Sequence, residues 1–315
     1  MRKEIGKKEE AVKSLEKAVE LNPENDEALF LLGSILLESG KIKEALPFLE
    51  KAVSLKENSE YYNDLGFAYY QLGDYEKALK AFDKAITLDP NLSESYYNKA
   101  LALRKLGKYK EALKYYNLAI AINPDDPDYH YNKGIVLRLL KKPEKAIFSY
   151  KKAIQLKPDF VDAWNNLGNA YYDIGKLDEA LKAYQKAVEI EPSYSLGWQN
   201  IGNLYLDKGE YKKAVEAFKK AIKYNPQCSE CFMDMGIALK ELGLYEEAIK
   251  AYDKAKEINP EMEALSEYNK GCLYASKGDN ESAIKHLKRA ISLDKSLKEY
   301  AKTDEDLKGI KLDFL

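Results

Sequence analysis

Apolar, small and charged positions recur along the chain with a step close to 34 residues. Counted from the first residue of each unit, units begin at Asp26, Ser59, Ser93, Pro127, Val161, Ser195, Ser229 and Ala264. Position 20 is alanine in every unit, from Ala45 to Ala283, and position 27 is alanine again, from Ala52 to Ala290. Seven residues apart, these fall on one face of a helix. Each unit is therefore predicted to end in a helix carrying a stripe of small residues. Position 8 is Gly33, Gly66, Ala100, Gly134, Gly168, Gly202, Gly236 and Gly271. A glycine inside a helix costs about 1 kcal/mol against alanine, so its return predicts a close approach between helices. Phe82, Tyr116, Tyr150, Phe218 and Tyr252 at position 24 are the large residues that fill the space left by the small ones.

The punctuation agrees with paired helices. Gly40, Gly73, Gly107, Gly175, Gly209, Gly243 and Gly278 stand where the first helix of each unit should close in a left-handed cap. Lys141 takes that place in the fourth unit, with Pro143 suited to the first turn of the next helix. Pro90, Pro124, Pro158, Pro192, Pro226 and Pro260 mark the turns between units. At the start, Gly6, Ala11, Ala18 and Pro23 match positions 15, 20, 27 and 32. Residues 1–25 are thus expected to be a half-repeat, a second helix without its first, or an N-terminal cap. The eight units occupy 26–295. Over 296–315, Leu297, Tyr300, Ala301 and Leu307 predict a capping helix at 297–308 followed by a tail.

These positions resemble the tetratricopeptide repeat (TPR) family, from Gly6 to about Lys295. The segment Val161–Ser193 reads as a near-consensus unit. HEAT and armadillo arrays have longer periods. The resemblance implies an all-α fold, an α-solenoid of helix-turn-helix units wound into a right-handed superhelix. It also implies that the first helices line a concave groove through positions 2, 5, 6, 9, 12 and 13.

Composition narrows the function. Of the 315 residues, 32% are charged, yet the net charge is −2 and the pI about 6.0. No broad positive field exists for duplex nucleic acid, so no nucleic-acid partner is expected. The start, MRKEIGKKEEAVKS, has no apolar core of a signal segment. The longest apolar run, Ala28–Leu37, is about half of the ~20 residues needed to span a bilayer. A cytoplasmic chain without membrane insertion is expected. Cys228 and Cys231 form a CxxC, but zinc needs further ligands and only Cys272, His130 and His286 are at hand. No metal and no small-molecule cofactor are expected, although the spacing permits a disulfide under oxidation. His130 holds position 4, a packing position filled by Trp164 and Trp198 in later units. No Ser/His/Asp set, P-loop or HExxH occurs, so no enzyme is expected.

If the family geometry holds, the chemistry lies along the groove. Position 6 reads Leu31, Asp64, Asn98, Asn132, Asn166, Asn200, Asp234 and Asn269. An asparagine both donates and accepts, and each pairing with a peptide backbone is worth about 0.5–1.5 kcal/mol. Beside this line, Tyr97, Tyr131, Arg104 and Arg138, with Lys105, make a basic and aromatic section suited to an acidic or aromatic segment. Asn165, Asn169, Tyr172, Gln199 and Asn203 follow as a polar to acidic section, and Met233, Ile237 and Cys272 as an apolar one. The competing account is that these asparagines only cap or hydrate the inner face. The clamp with which some TPR domains hold chaperone C-termini is absent: Tyr97 and Leu101 replace its first Lys and Asn, and Asp162 and Asn166 its Lys and Arg. The expected function is a protein–protein interaction scaffold that binds an extended peptide or partner segment. The alternatives are a solenoid that associates end to end through the face of Ala11, Leu15 and Ala18, or a regulatory fragment of a larger multidomain protein.

Overall fold

The computed structural model describes residues 2–308 and 310, and two compact units, residues 1–170 and 171–315. The first holds α1 (Arg2–Leu21), α2 (Asp26–Glu38), α3 (Ile42–Leu55), α4 (Ser59–Gln71), α5 (Tyr75–Leu88), α6 (Ser93–Lys105), α7 (Tyr109–Ile122), α8 (Pro127–Leu139) and α9 (Pro143–Leu156). The division falls within α10 (Val161–Asp173). The second holds α11 (Leu177–Ile190), α12 (Ser195–Asp207), α13 (Tyr211–Tyr224), α14 (Ser229–Glu241), α15 (Tyr245–Ile258), α16 (Glu263–Ser276), α17 (Asn280–Leu293) and α18 (Leu297–Ala301). Within each unit, consecutive helices pair as hairpins and each hairpin packs on the next, so the fold is an all-α solenoid. Among the described residues there is no strand, and no helix is long and apolar enough to cross a membrane.

Local chemistry sets the helix ends. Asn25, Asn58 and Asp126 cap α2, α4 and α8 by accepting backbone N–H bonds of the first turn. The closing glycines hold φ between 70 and 81°. After each, the chain bonds back across the turn: the Asp74 N–H reaches the Tyr69 carbonyl at 3.0 Å and Lys108 reaches Leu103 at 2.9 Å. Lys141 makes the same turn at φ 57° and, among the described residues, is the one non-glycine with positive φ. An L side chain there costs about 1–2 kcal/mol, partly offset because glycine frees more of the unfolded chain. Lys141→Gly is therefore expected to stabilise the array by about 1 kcal/mol in urea melts; equal or lower stability would remove the argument.

The core is the small-against-large pattern. The alanines at positions 20 and 27 of the eight units are completely buried. Leu49, Phe82, Tyr116, Tyr150, Phe218, Tyr252 and Leu287 at position 24 are as deep. Most of these large side chains sit against the position 8 glycine of their own hairpin. A second tie recurs at position 4. Tyr96 Oη, Trp164 Nε1 and Trp198 Nε1 donate to the carbonyls of Pro90, Pro158 and Pro192, at 3.1, 2.9 and 2.9 Å. His130 Nε2 makes the equivalent contact with Pro124 O at 2.8 Å. A carbonyl only accepts, so this nitrogen carries the proton, and burial holds the imidazole pKa down. His130 is a structural donor to the turn, not a base.

The α1 helix is continuous through Gly6. Two expectations are corrected. The last first-helix starts at Glu263, one residue before Ala264, after a 3-10 turn at Pro260–Met262 that takes up the extra residue of the spacing. The expected cap over 297–308 is two pieces, α18 and a 3-10 turn at Glu305–Leu307. The break falls at Asp304, whose carboxylate accepts the Asp306 N–H at 3.0 Å and the Tyr268 hydroxyl at 2.7 Å instead of letting the helix continue. The tail over 311–315 lies outside the described residues. On α1, Ala11, Leu15 and Ala18 are half-buried, whereas the equivalent Ala45, Leu49 and Ala52 of α3 are fully buried.

Candidate partner-binding face

The first helices present positions 5 and 6 of neighbouring repeats to one another. In the first unit Asn98 Nδ2 donates to Asn63 Oδ1 at 3.1 Å. Asn132 Nδ2 donates to Tyr97 Oη and to the Asp128 carbonyl, both at 3.0 Å. Asn166 Nδ2 donates to Tyr131 Oη at 3.2 Å and to the Asp162 carbonyl at 2.9 Å. In the second unit Asn269 Nδ2 points at Met233 Sδ, 3.2 Å away. In these four pairs, position 6 of one repeat donates to position 5 of the repeat before it.

This changes what the asparagine line can do. Its donors are used inside the fold, and Asn98 and Asn132 are only 5% and 7% exposed. For Asn132 and Asn166, whose amide nitrogens each make two bonds within the fold, the expectation that the amide offers both donor and acceptor to a ligand is corrected to an acceptor alone. Among the described residues, Oδ1 of Asn132 and Asn166 has no hydrogen-bond partner. The orientation of these amides is not arbitrary, because the backbone carbonyl four residues back only accepts and so selects the nitrogen. Asn165 also departs from expectation: at 1% exposure it is part of the packing.

The acids behave differently. Asp64 accepts the Ser34 hydroxyl, yet burial pushes its carboxyl up to about 6, against the bonds from Ser34 and Asn63 that pull it down. Asp234 is also pushed up to about 6, by burial first and then by Glu230 and Asp207. Tyr172 donates to Asp207, and Gln199 Nε2 donates to Glu230 Oε2 at 3.0 Å. Asn203 Oδ1 is buried with no hydrogen-bond partner among the described residues. Arg138, Asn169 and Asn200 are all engaged within the fold.

Arg104 is the centre of the basic section. Burial raises the phenols of Tyr70, Tyr97, Tyr116 and Tyr131, and the Arg104 charge pulls each back, with side-chain contacts to Tyr70 and Tyr116 adding to the pull. Tyr131 ends at about 12. Tyr97 and Tyr131 came from the sequence reading; Tyr70 and Tyr116 did not, because they reach the site from position 12 of the preceding repeat and from the second helix. Among the described residues no carboxylate pairs with Arg104. Its Nε and the Tyr116 hydroxyl are buried without hydrogen-bond partners.

The cysteines fall elsewhere. Cys228 and Cys231 are joined in a disulfide at the start of α14. Cys272 lies beside Asp304 and Asp306. Burial raises its thiol far above the usual range, Tyr268 donates to Asp304, and Lys240 pairs with Asp306. A protonated thiol and a lysine already on the carboxylate make this a poor cation receptor.

Models of the tetratricopeptide repeat match residues 6–65, 55–93, 63–127, 97–159 and 268–297. A model of the cilia and flagella-associated protein 70 C-terminal domain matches residues 137–265. No curated protein matches the chain at a significant level. Among solved structures, YrrB, described as a TPR protein with an unusual peptide-binding site, is 27% identical, with 58% of this chain and 95% of that chain covered and a TM-score of 0.50. MamA is 27% identical, with 55% and 94% covered and a TM-score of 0.50. The pilF protein of Pseudomonas aeruginosa is 21% identical, with 64% and 92% covered and a TM-score of 0.57, a likeness of fold alone. The chain is a protein–protein interaction scaffold. With repeat models matching more than half its length and the paired helices in place, it belongs to the tetratricopeptide repeat family.

Proposed function

We propose that the chain binds an extended segment of a partner protein along the face formed by its first helices. The observation that carries this is the pair of Asn132 and Asn166 carbonyl oxygens. They stand one repeat apart, and in each the two bonds of the amide nitrogen hold the oxygen in one orientation. Acceptors aimed by the fold need no ordering when a ligand arrives, which favours binding. The likeness to YrrB, with its peptide-binding site, supports the same reading.

The test is Asn132→Ala with Asn166→Ala, using twelve-residue peptides selected from a random library on the whole chain. Two lost bonds of about 0.5–1.5 kcal/mol each predict a fall in affinity of about 5- to 150-fold, with helicity kept in circular dichroism. Selection of no peptide, or unchanged affinity in the double variant, would sink the reading.

A further inference from the structure

We propose that the outward face of α9, in the first unit, adheres to an anionic lipid surface. This face belongs to a second helix, and the proposal does not depend on the peptide-binding reading. Residues 141–157 hold six lysines and one acid, Glu144, in a chain whose net charge is −2. The inward side of α9 is filled by Ala146, Ser149, Tyr150, Ala153 and Ile154. The outward side carries Phe148, 76% exposed. Lys145 stands three residues before the ring and Lys152 four after it, so both flank it on the same face. Among the described residues, neither of them, nor Lys141 or Lys142, has an ion-pair partner. The fold does not ask for the ring. Position 22 is lysine or glutamate in six of the other seven repeats and proline in the remaining one.

One bare ring among lysines is a poor start for a protein interface. Such interfaces gather apolar side chains at their centre and are depleted of lysine. On α9, Phe148 is the one large apolar side chain that is exposed. An anionic headgroup layer asks for less. A lysine ammonium is a point charge that needs no fixed geometry, and each one near such a surface raises affinity about 5-fold. The layer also flows around a single aromatic ring, which rests its apolar body below the headgroups. Lys80 and Lys114 hold position 22 of the two preceding repeats and are exposed, so the cationic surface continues along the second helices of this unit. The contact is peripheral, in keeping with described helices too short or too polar to cross a membrane.

The test floats the whole chain on a density gradient with vesicles of equal parts phosphatidylserine and phosphatidylcholine, and with vesicles of phosphatidylcholine alone. The chain is expected to rise with the first and not with the second, and to come off as salt is raised. Phe148→Ala is expected to weaken adhesion about 10-fold, and Lys145→Gln with Lys152→Gln about 30-fold. Helicity is expected to hold in both, because these side chains lie outside the packed side of α9. Phe148→Trp reads the contact directly: it should keep the adhesion and add to the fluorescence quenching that acyl-brominated lipid produces in the wild type. No flotation with the anionic vesicles at low salt would overturn the proposal. So would flotation that Phe148→Ala leaves unchanged, since the ring would then be idle. Binding of polyglutamate through the same lysines, with the vesicles ignored, would assign the face to an acidic protein and also overturn it.

Discussion

Gly202→Val is expected to destabilise the second unit by about 3 kcal/mol, while Gly202→Ala stays within about 1 kcal/mol of the wild type. The Phe218 ring lies 2.6 Å from where a Cβ on Gly202 would stand, and Phe218 is fully buried. A single methyl requires the ring to retreat from 2.6 Å to ordinary contact at 3.4 Å or beyond, a shift of about 1 Å that the outer end of the ring must supply. The third repeat takes that step natively, with Ala100 at the same position opposite Tyr116. Alanine also recovers about 1 kcal/mol of helix propensity, which offsets much of the clash. Valine gains no such allowance: its two γ-carbons enter a space already filled by the ring, and overpacking of this kind costs about 1–3 kcal/mol or more. Urea melts followed by circular dichroism and by Trp198 fluorescence would separate the variants. A valine variant as stable as the alanine one would show that the position 8 glycines are not there for close approach.

Asp234→Asn is expected to stabilise the protein at pH 7 by about 1–3 kcal/mol, with the gain shrinking to near zero at pH 4. Burial, aided by Glu230 and Asp207, pushes the Asp234 carboxyl up to about 6 in the folded chain, against 3.8 unperturbed. The folded state therefore binds the proton more tightly than the unfolded state. Stability from this group is fully present below about pH 4 and is lost as pH rises through 6. An asparagine keeps the shape and cannot ionise, so its advantage appears in that window and levels off above it. Asp64 carries a shift of the same sign and leaves a slope in both proteins, so the decisive quantity is the difference between them. A difference that does not grow from pH 4 to pH 7 would contradict the assignment.

The candidate face was legible in part. The residues of the asparagine line, and the basic and aromatic section around Tyr97, Tyr131 and Arg104, stand out in the sequence once the period is known. What did not stand out is that position 6 spends its donors on position 5 of the preceding repeat. The signal was present, since Asn63 precedes Asn98, Tyr97 precedes Asn132, and Tyr131 precedes Asn166, each by 35 residues. Its meaning needs the distance between two helices that are remote in sequence. The same holds for Tyr70 and Tyr116, whose phenols feel the Arg104 charge from other elements, and for Asn165, which is buried in the packing. The disulfide of Cys228 and Cys231 was permitted by spacing, while the bond itself is a fact of the fold.

The sequence by itself determined the repeat, its paired helices, their glycine caps and the alanine faces that let them close. These are local or nearest-neighbour effects: backbone freedom at one residue, a period of 3.6 along one helix, and contact with the next helix in line. Only the tertiary structure decided which polar atoms are already satisfied. That depends on where side chains from different repeats meet, and a buried donor gives no sign in the sequence of whether its acceptor is a neighbour or a partner yet to bind. The 34-residue step specifies where the asparagines stand, and the packing between repeats decides that the nitrogens of Asn132 and Asn166 are spent on Tyr97 and Tyr131.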